Sequence, residues 1–276
     1  MKKNLFKLLI LMILAVSALS LVSCSQRNDG DSSIEEIKGT DGLEYFPLDN
    51  GTYAVGVGTA TMVSDITIPN YYNGKKVTVI CEDAFRDCEN LKYISIPDTI
   101  ETIDSLAFYK CENLKSITLG KGIKSIKHSA FEECESLVSV KFSGDIEKWC
   151  NIEFENCFAN PIHRASLYIN NTLLTNLVIP ITVRSIGDYA FYNYKNLTSV
   201  NIELPTNLMT IGDCAFAYCD NLTSIIIPKS VTEVGESVFY GCNDFTIYCM
   251  AESKPRYWND NWNHSECPVV WGYTGE

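Results

Sequence analysis

Histidine is scarce in this sequence, with three residues in 276, and those three, His128, His163 and His264, stand far apart. Nucleophilic catalysis by a Cys–His pair would therefore rest on His264 near Cys267 or on His163 after Cys157. Such a pair needs an activated thiolate and a third group that orients the base, and the sequence offers neither. The G-x-S-x-G elbow, the P-loop and H-E-x-x-H are missing, and Gly56-Val57-Gly58 lacks both a third glycine and a following helix. Closely spaced ligand pairs such as C-x2-C or H-x3-H are also missing, and Cys214-x4-Cys219 alone does not supply four ligands. The expectation is a non-enzyme with no metal and no cofactor. Basic residues are few as well: 22 Lys and Arg stand against 34 Asp and Glu. That balance excludes nucleic acid and anionic lipid headgroups as partners of the folded body, since both need clustered cations.

Long apolar runs are confined to one place, Leu8 to Ala18, preceded by Lys2, Lys3 and Lys7. This is the layout of a signal peptide, and the run is short for a stable membrane span. It ends in Leu21-Val22-Ser23-Cys24, which resembles the lipobox of bacterial lipoproteins, in which the cysteine receives lipid and becomes the new N-terminus. An exported lipoprotein held to the membrane only through lipidated Cys24 is the expectation. Removing residues 1–23 takes three of the basic residues and no acidic ones, which leaves a formal charge of −15. Residues 24–41, with almost no apolar side chains, read as a flexible tether.

What the sequence does have is a period. AFRDCENLKYISIP from Ala84 returns as AFYKCENLKSITLG from Ala107, AFEECESLVSVKFS from Ala130 and AFAYCDNLTSIIIP from Ala215. Phe85, Phe108, Phe131, Phe191, Phe216 and Phe239 are separated by 23, 23, 60, 25 and 23 residues. Leu91, Leu114, Leu137, Leu197 and Leu222 keep the same register, and three residues after each comes an apolar-x-apolar strand signal such as Ile94/Ile96 or Ile117/Leu119. Ile66/Ile68 and Leu177/Ile179 add two further rungs. A period of 20–29 residues with spaced leucines marks a leucine-rich repeat solenoid, because no single repeat buries its own apolar face and stacking supplies the core. The predicted fold is mainly β: parallel strands stacked in phase, joined by short helical or irregular turns. Pro69, Pro97, Pro180 and Pro228 end strands because proline brings no N–H to the ladder. Asn90, Asn113, Asn196 and Asn221, each before a ladder leucine, are expected to hydrogen-bond the backbone of the turn.

The phrase IGDYAF-x-x-x-x-NLTSV from Ile186, with IP-x-x-V-x-x-(I/V)G between phrases, is similar to the BspA-type leucine-rich repeat proteins of bacterial cell surfaces. The resemblance covers about four fifths of the chain. It implies a lipid- or wall-anchored surface protein that binds host or community ligands, without implying one ligand.

Register also reads the twelve cysteines. Cys88, Cys111 and Cys134 are 23 apart, as are Cys219 and Cys242, so these five are expected as buried thiols, at a place where the family resembled also has cysteine. Tyr194 takes that place in the remaining full repeat. Cys249 and Cys267, flanking a tryptophan-rich end, are the pair singled out for a disulfide.

The predicted organisation is a hairpin cap over 42–64, a solenoid over 65–245 and a C-terminal cap over 246–276. The long step between Phe131 and Phe191 contains an irregular insert, 146–176, expected to pack on the side of the solenoid, with LYI-NN-TLL as a strand pair closed by a two-residue turn. Glu203-Leu204 reads as a local bulge. Outward positions between ladder residues, Lys92, Tyr93, Ser95, Lys115, Thr118, Lys141 and Asn201 among them, form the candidate ligand-binding face. The leading reading is a non-catalytic, cell-surface recognition or adhesion protein with a protein ligand; host matrix is suggested by the resemblance alone. An envelope scaffold and a glycan-binding protein using Trp258, Trp262 and Trp271 remain the alternatives, with core packing as another use of those rings.

Overall fold

The computed structural model describes residues 38–275. The signal segment, Cys24 and the tether as far as residue 37 lie outside the described residues. The last residues assigned to the tether belong to the folded body: Thr40 N–H donates to the Thr67 carbonyl at 2.9 Å, and its hydroxyl accepts from Thr67 N–H at 2.8 Å.

The described chain is a coil of stacked strands with two ladders per turn. The front ladder carries the strand signals read from the sequence. Asp65–Thr67, Tyr93–Ile96, Ser116–Leu119, Ser139–Phe142 and Ser166–Ile169 lie parallel and in register, so Ile94, Ile117, Val140 and Leu167 follow one another inward. After an interruption it resumes as Asn176–Ile179 paired with Ser199–Ile202 and, after a second break in the pairing, as a three-stranded sheet of Ser224–Ile227, Thr246–Cys249 and Val269–Trp271. The back ladder fills what the sequence presents as irregular turns. Lys75–Ile80, Thr102–Ile103, Ser125–Ile126 and Glu153–Phe154 form its first part, and Ser185–Ile186, Thr210–Ile211, Glu233–Val234 and Tyr257–Trp258 its second. Most of these strands have two residues, too few to show the alternation by which strands are recognised.

The connecting turn is stacked too. Phe85 N–H donates to Ala107 O, and Phe108 N–H to Ala130 O, while Asp87 and Lys110 do the same toward Tyr109 and Glu132. Five of the six such turns hold two non-glycine residues at positive φ, for example Leu106 (57°) and Lys110 (58°), and the sixth holds Ser237 (54°) and Gly241 (71°). The left-handed conformation is unfavourable for the non-glycine residues, and the bonds from rung to rung hold it in place.

Between the ladders the phenylalanines form two columns. Phe85, Phe108 and Phe131 stack at 5.2 and 5.1 Å with planes within 5°, and Phe191, Phe216 and Phe239 at 5.5 and 6.0 Å. Their separation follows the rung spacing, so one residue type in register yields a continuous offset stack. Each column is fully buried, flanked by Leu91, Leu114, Leu197 and Leu222.

The two ends are more than lids. At the front end, Glu44–Pro47 pairs antiparallel with Tyr53–Gly56 around Gly51 (φ 82°), and Tyr53–Gly56 then joins the back ladder beside Lys75–Ile80. At the far end, the segment expected as a cap is another turn of the coil: Thr246–Cys249 and Tyr257–Trp258 extend the front and back ladders. Trp262 closes the phenylalanine column, edge-on to Phe239 at 6.4 Å.

The insert is also in line with the coil, which corrects the expectation that it packs on the side. Glu153–Phe154 continues the back ladder and Ser166–Ile169 the front one. Only the strand Thr172–Leu173 departs; it folds back antiparallel on Ser166–Ile169 through Asn170 (φ 52°) and Asn171 (φ 59°), the turn read from the sequence. Alternating Ile and Leu serve a rung as well as a side-packed segment, so periodicity could not separate the two. A short helix, Ile146–Cys150, is capped by Asp145, whose carboxylate accepts from Lys148 N–H at 2.9 Å.

Past this hairpin the backbone ladders stop, and side chains bridge the seam. Asn160 is fully buried and donates through Nδ2 to Tyr189 O and Ala190 O at 2.8 and 3.0 Å. Trp149 Nε1 donates to Ala190 O at 2.9 Å. Tyr194 Oη accepts from Leu167 N–H at 3.1 Å and donates to Leu174 O at 2.7 Å.

Candidate functional site

The residues expected on the binding face divide between two surfaces. Ser95, Thr118 and Lys141 are consecutive partners on the outer side of the first front sheet, with Tyr168 next in line. Tyr93 heads the parallel row Tyr93–Ser116–Ser139–Ser166 and is 46% exposed. Lys92 and Lys115 sit one rung apart, Lys115 N–H donating to Lys92 O at 2.8 Å, and both are exposed, as is Lys141. Among the described residues no salt bridge engages these three lysines, whereas Lys121, Lys124 and Lys195 each have a carboxylate. Ser95, Ser116, Thr118 and Ser139 lie among the lysines, and Tyr93, Val138 and Tyr168 are the large side chains on the same rungs.

Asn201 is not part of that surface. It lies beyond the seam, paired with Val178, and its Nδ2 donates to Asn176 Oδ1 at 3.0 Å. The two front sheets beyond the seam, Asn176–Ile179 with Ser199–Ile202 and then Ser224–Ile227 with Thr246–Cys249 and Val269–Trp271, have a different outward chemistry. Val178, Ile226 and Val270 are about two-fifths exposed, and Tyr248 packs on Tyr273 with ring centroids 4.8 Å apart. The signal was present in Ser224–Ile227, which reads SIII: Ile225 and Ile227 face inward, so Ile226 faces out.

The recurring cysteines fill the interior. Cys88, Cys111, Cys134, Cys219 and Cys242 are all buried. Four of the thiols donate to the phenylalanine carbonyl of the previous full repeat: Cys111 to Phe85 O at 3.0 Å, Cys134 to Phe108 O at 3.1 Å, and Cys219 and Cys242 to Phe191 O and Phe216 O at 3.2 Å. Burial pushes the Cys134 and Cys242 thiols up to about 12 and that of Cys88 up to about 11. Such groups stay protonated at neutral pH and are poor nucleophiles. Cys249 and Cys267, singled out for a bridge, are both buried free thiols.

The histidines do not assemble a site either. His163 is buried and donates from Nδ1 to Asn160 O at 2.8 Å; desolvation lowers its pKa, which favours the neutral ring. His264 lies edge-on to Tyr240 at 5.3 Å. The tryptophans serve the core: Trp258 and Trp262 are buried with centroids 4.8 Å apart, Trp271 packs against both, and Trp258 Nε1 donates to Val231 O at 3.2 Å. The asparagines before the ladder leucines act as turn ties at Asn113 and Asn221, which donate to Glu89 O and Lys195 O at 2.8 and 2.6 Å. Asn196 instead reaches the Ser166 hydroxyl, and Asn90 the Met62 sulfur. No helix among the described residues is long and apolar enough to cross a membrane.

Two ladders, two buried aromatic columns and an exposed strand face define a leucine-rich repeat solenoid. The family model for the BspA type leucine rich repeat region matches in six copies across residues 59–166 and 162–256, and the chain belongs to that family. Its members are generally repeat proteins without enzymatic activity. Among solved structures, a leucine rich cell surface protein from Faecalibacterium prausnitzii A2-165 is similar at 25% identity and a TM-score of 0.55 over 83% of this chain. The chain spans 58% of that protein's length. A leucine rich repeat protein from T. pallidum shares the fold at 23% identity and a TM-score of 0.51, with 74% of this chain and 88% of that one covered. Comparison with curated proteins finds no match.

Proposed function

We propose that the protein is a non-catalytic recognition protein of the bacterial cell surface, anchored through lipidated Cys24, that binds a protein ligand on its first front sheet. One observation carries this reading. Lys92 and Lys115 stand exposed on successive rungs, and Lys141 stands exposed on the next rung in the row of Thr118; none of the three is paired with a carboxylate among the described residues, in a chain whose overall charge is negative. Free cations kept on one face of an acidic protein favour an acidic partner and steer its approach. Contact spread over several rungs gives a solenoid affinity without a deep pocket. The F. prausnitzii protein, named as a cell surface protein, supports the location. The lipobox-like Leu21-Val22-Ser23-Cys24 supports the anchor.

The test has two arms. The mature protein is probed against an array of matrix proteins and glycans; reproducible binding to acidic proteins that weakens as salt is raised supports the reading, and silence on the whole array removes it. Detergent-phase partition of the expressed chain, compared with Cys24→Ser, tests the anchor. Equal partition of the two would show that Cys24 carries no lipid.

A further inference from the structure

The seam places different numbers of strands on the two faces of the coil. Between Ser139–Phe142 and Asn176–Ile179 the front has two strands, Ser166–Ile169 and Thr172–Leu173, because the hairpin turns straight back. Between Ser125–Ile126 and Ser185–Ile186 the back has one, Glu153–Phe154. The back ladder is therefore one strand short, and it ends in two open edges that face each other: Glu153–Phe154 closes one sheet and Ser185–Ile186 begins the next.

The alternation of a parallel strand fixes which backbone groups look into the gap. Glu153 and Glu155 N–H donate to Lys124 O and Ile126 O, so Phe154 turns its N–H and C=O the other way. Arg184 O and Ile186 O accept from Thr210 and Gly212 N–H, so Ser185 likewise turns toward the seam. Among the described residues no backbone group meets Phe154 or Ser185 across it. The space between is a cavity of about 410 Å³, lined by Ile152, Phe154, Ser185, Gly187, Lys127 and Glu153 among others. One end is closed, where Gly187 N–H donates to Cys150 O at 2.9 Å. A side chain at Gly187 would meet Cys150 O and Ile152 O at 3.0 and 3.1 Å.

Open strand edges are templates for another strand, and most proteins cover them. Here both edges lie inside the array and border one cavity, so a single extended segment is the partner that can pair with both. Charge narrows the partner further. The cavity is lined by Glu153, Glu155 and Asp188 against one cation, Lys127.

We propose that this cleft is a peptide-binding site, separate from the lysine face, that takes an extended segment carrying a Lys or Arg side chain and pairs its backbone with Phe154 and Ser185. Main-chain bonds supply affinity in this mode, and the acidic rim selects the side chain.

The test selects a random dodecapeptide phage-display library on the mature chain and measures synthetic copies of the selected sequences. Basic peptides are expected, and they slow hydrogen exchange at the Phe154 and Ser185 amides. Ser185→Pro removes the N–H that faces the cleft and leaves the bonds to Thr210 and Gly212 intact, so it lowers affinity at least about tenfold. Lys115→Glu, on the other face, leaves peptide affinity unchanged, so failure of the lysine-face reading and failure of this one are told apart. No selected peptide, protection elsewhere, or undiminished binding to a folded Ser185→Pro variant would overturn the proposal. Should that variant not fold, the exposed Glu153→Lys substitution and the exchange map decide: unchanged affinity for the basic peptides sinks it.

Discussion

The hydroxyl of Tyr194 donates to the carbonyl of Leu174 at 2.7 Å, from the position that other repeats give to a cysteine. The same oxygen accepts from Leu167 N–H at 3.1 Å. One side chain thus occupies the thiol's place and reaches across the seam where the backbone ladder has stopped. Tyr194→Phe leaves the buried Leu167 N–H and the part-buried Leu174 C=O without this partner, and it is expected to cost about 1–3 kcal/mol. Chemical denaturation measures it; a change within experimental error would mean that water or backbone movement supplies the missing bonds.

The phenylalanine columns lead to a second expectation. Phe108 is fully buried between Phe85 and Phe131. Phe108→Ala opens a cavity inside the stack and is expected to destabilise the coil by about 3–5 kcal/mol. Because adjacent turns are coupled, hydrogen exchange should rise in the neighbouring rungs as well. Loss confined to the one rung would show that the turns are less coupled than their shared ladders imply.

Alkaline pH is expected to weaken the fold through the thiols. Burial raises Cys134 from an ordinary value of 9.0 to about 12, so between these values the unfolded chain gives up a proton that the folded chain retains. Stability from this group is complete below pH 9 and declines as pH rises toward 12. The limiting slope is about 1.4 kcal/mol per pH unit for each such group. Unfolding free energies measured from pH 7 to 10.5 should fall above 9, and Cys134→Ala should fall less steeply. Parallel slopes for the two would assign the alkaline loss to other groups.

The lysine face makes a prediction about binding rather than stability. Lys92, Lys115 and Lys141 are exposed and bear no partner carboxylate, so reversing all three to Glu is expected to move stability by no more than about 0.5 kcal/mol per site. Affinity for an acidic ligand should fall, chiefly through the association rate, and the salt dependence should flatten. Unchanged kinetics would place recognition on another surface.

Much of this architecture was legible because repetition multiplies a weak signal. A single Cys88 says little, but Cys88, Cys111 and Cys134 at one spacing place three thiols in one column, and all three are buried. The back ladder was hidden because a strand such as Thr102–Ile103 has two residues and no alternation. Among the residues of the candidate face, Ser95, Thr118 and Lys141 fall in one row while Asn201 lies on another sheet, and the outward Ile226 is masked in the sequence by its isoleucine neighbours.

The sequence by itself determined the period, the inward columns of Phe, Leu and Cys, and the ends of the front strands at proline, because each follows from side chains repeating in phase with a stacked backbone. Tertiary structure alone decided where that stacking breaks. The rewritten rung keeps apolar alternation, so its residues fit a rung or a side packing equally well; only the path of the chain through Asn170-Asn171 sends a strand back along the front and leaves the back one strand short. The bonds that then hold the halves together, from Trp149, Asn160 and Tyr194, join residues 20 to 41 positions apart in the chain. No local pattern encodes such pairs, because what selects them is the set of backbone groups left unpaired once the coil has formed.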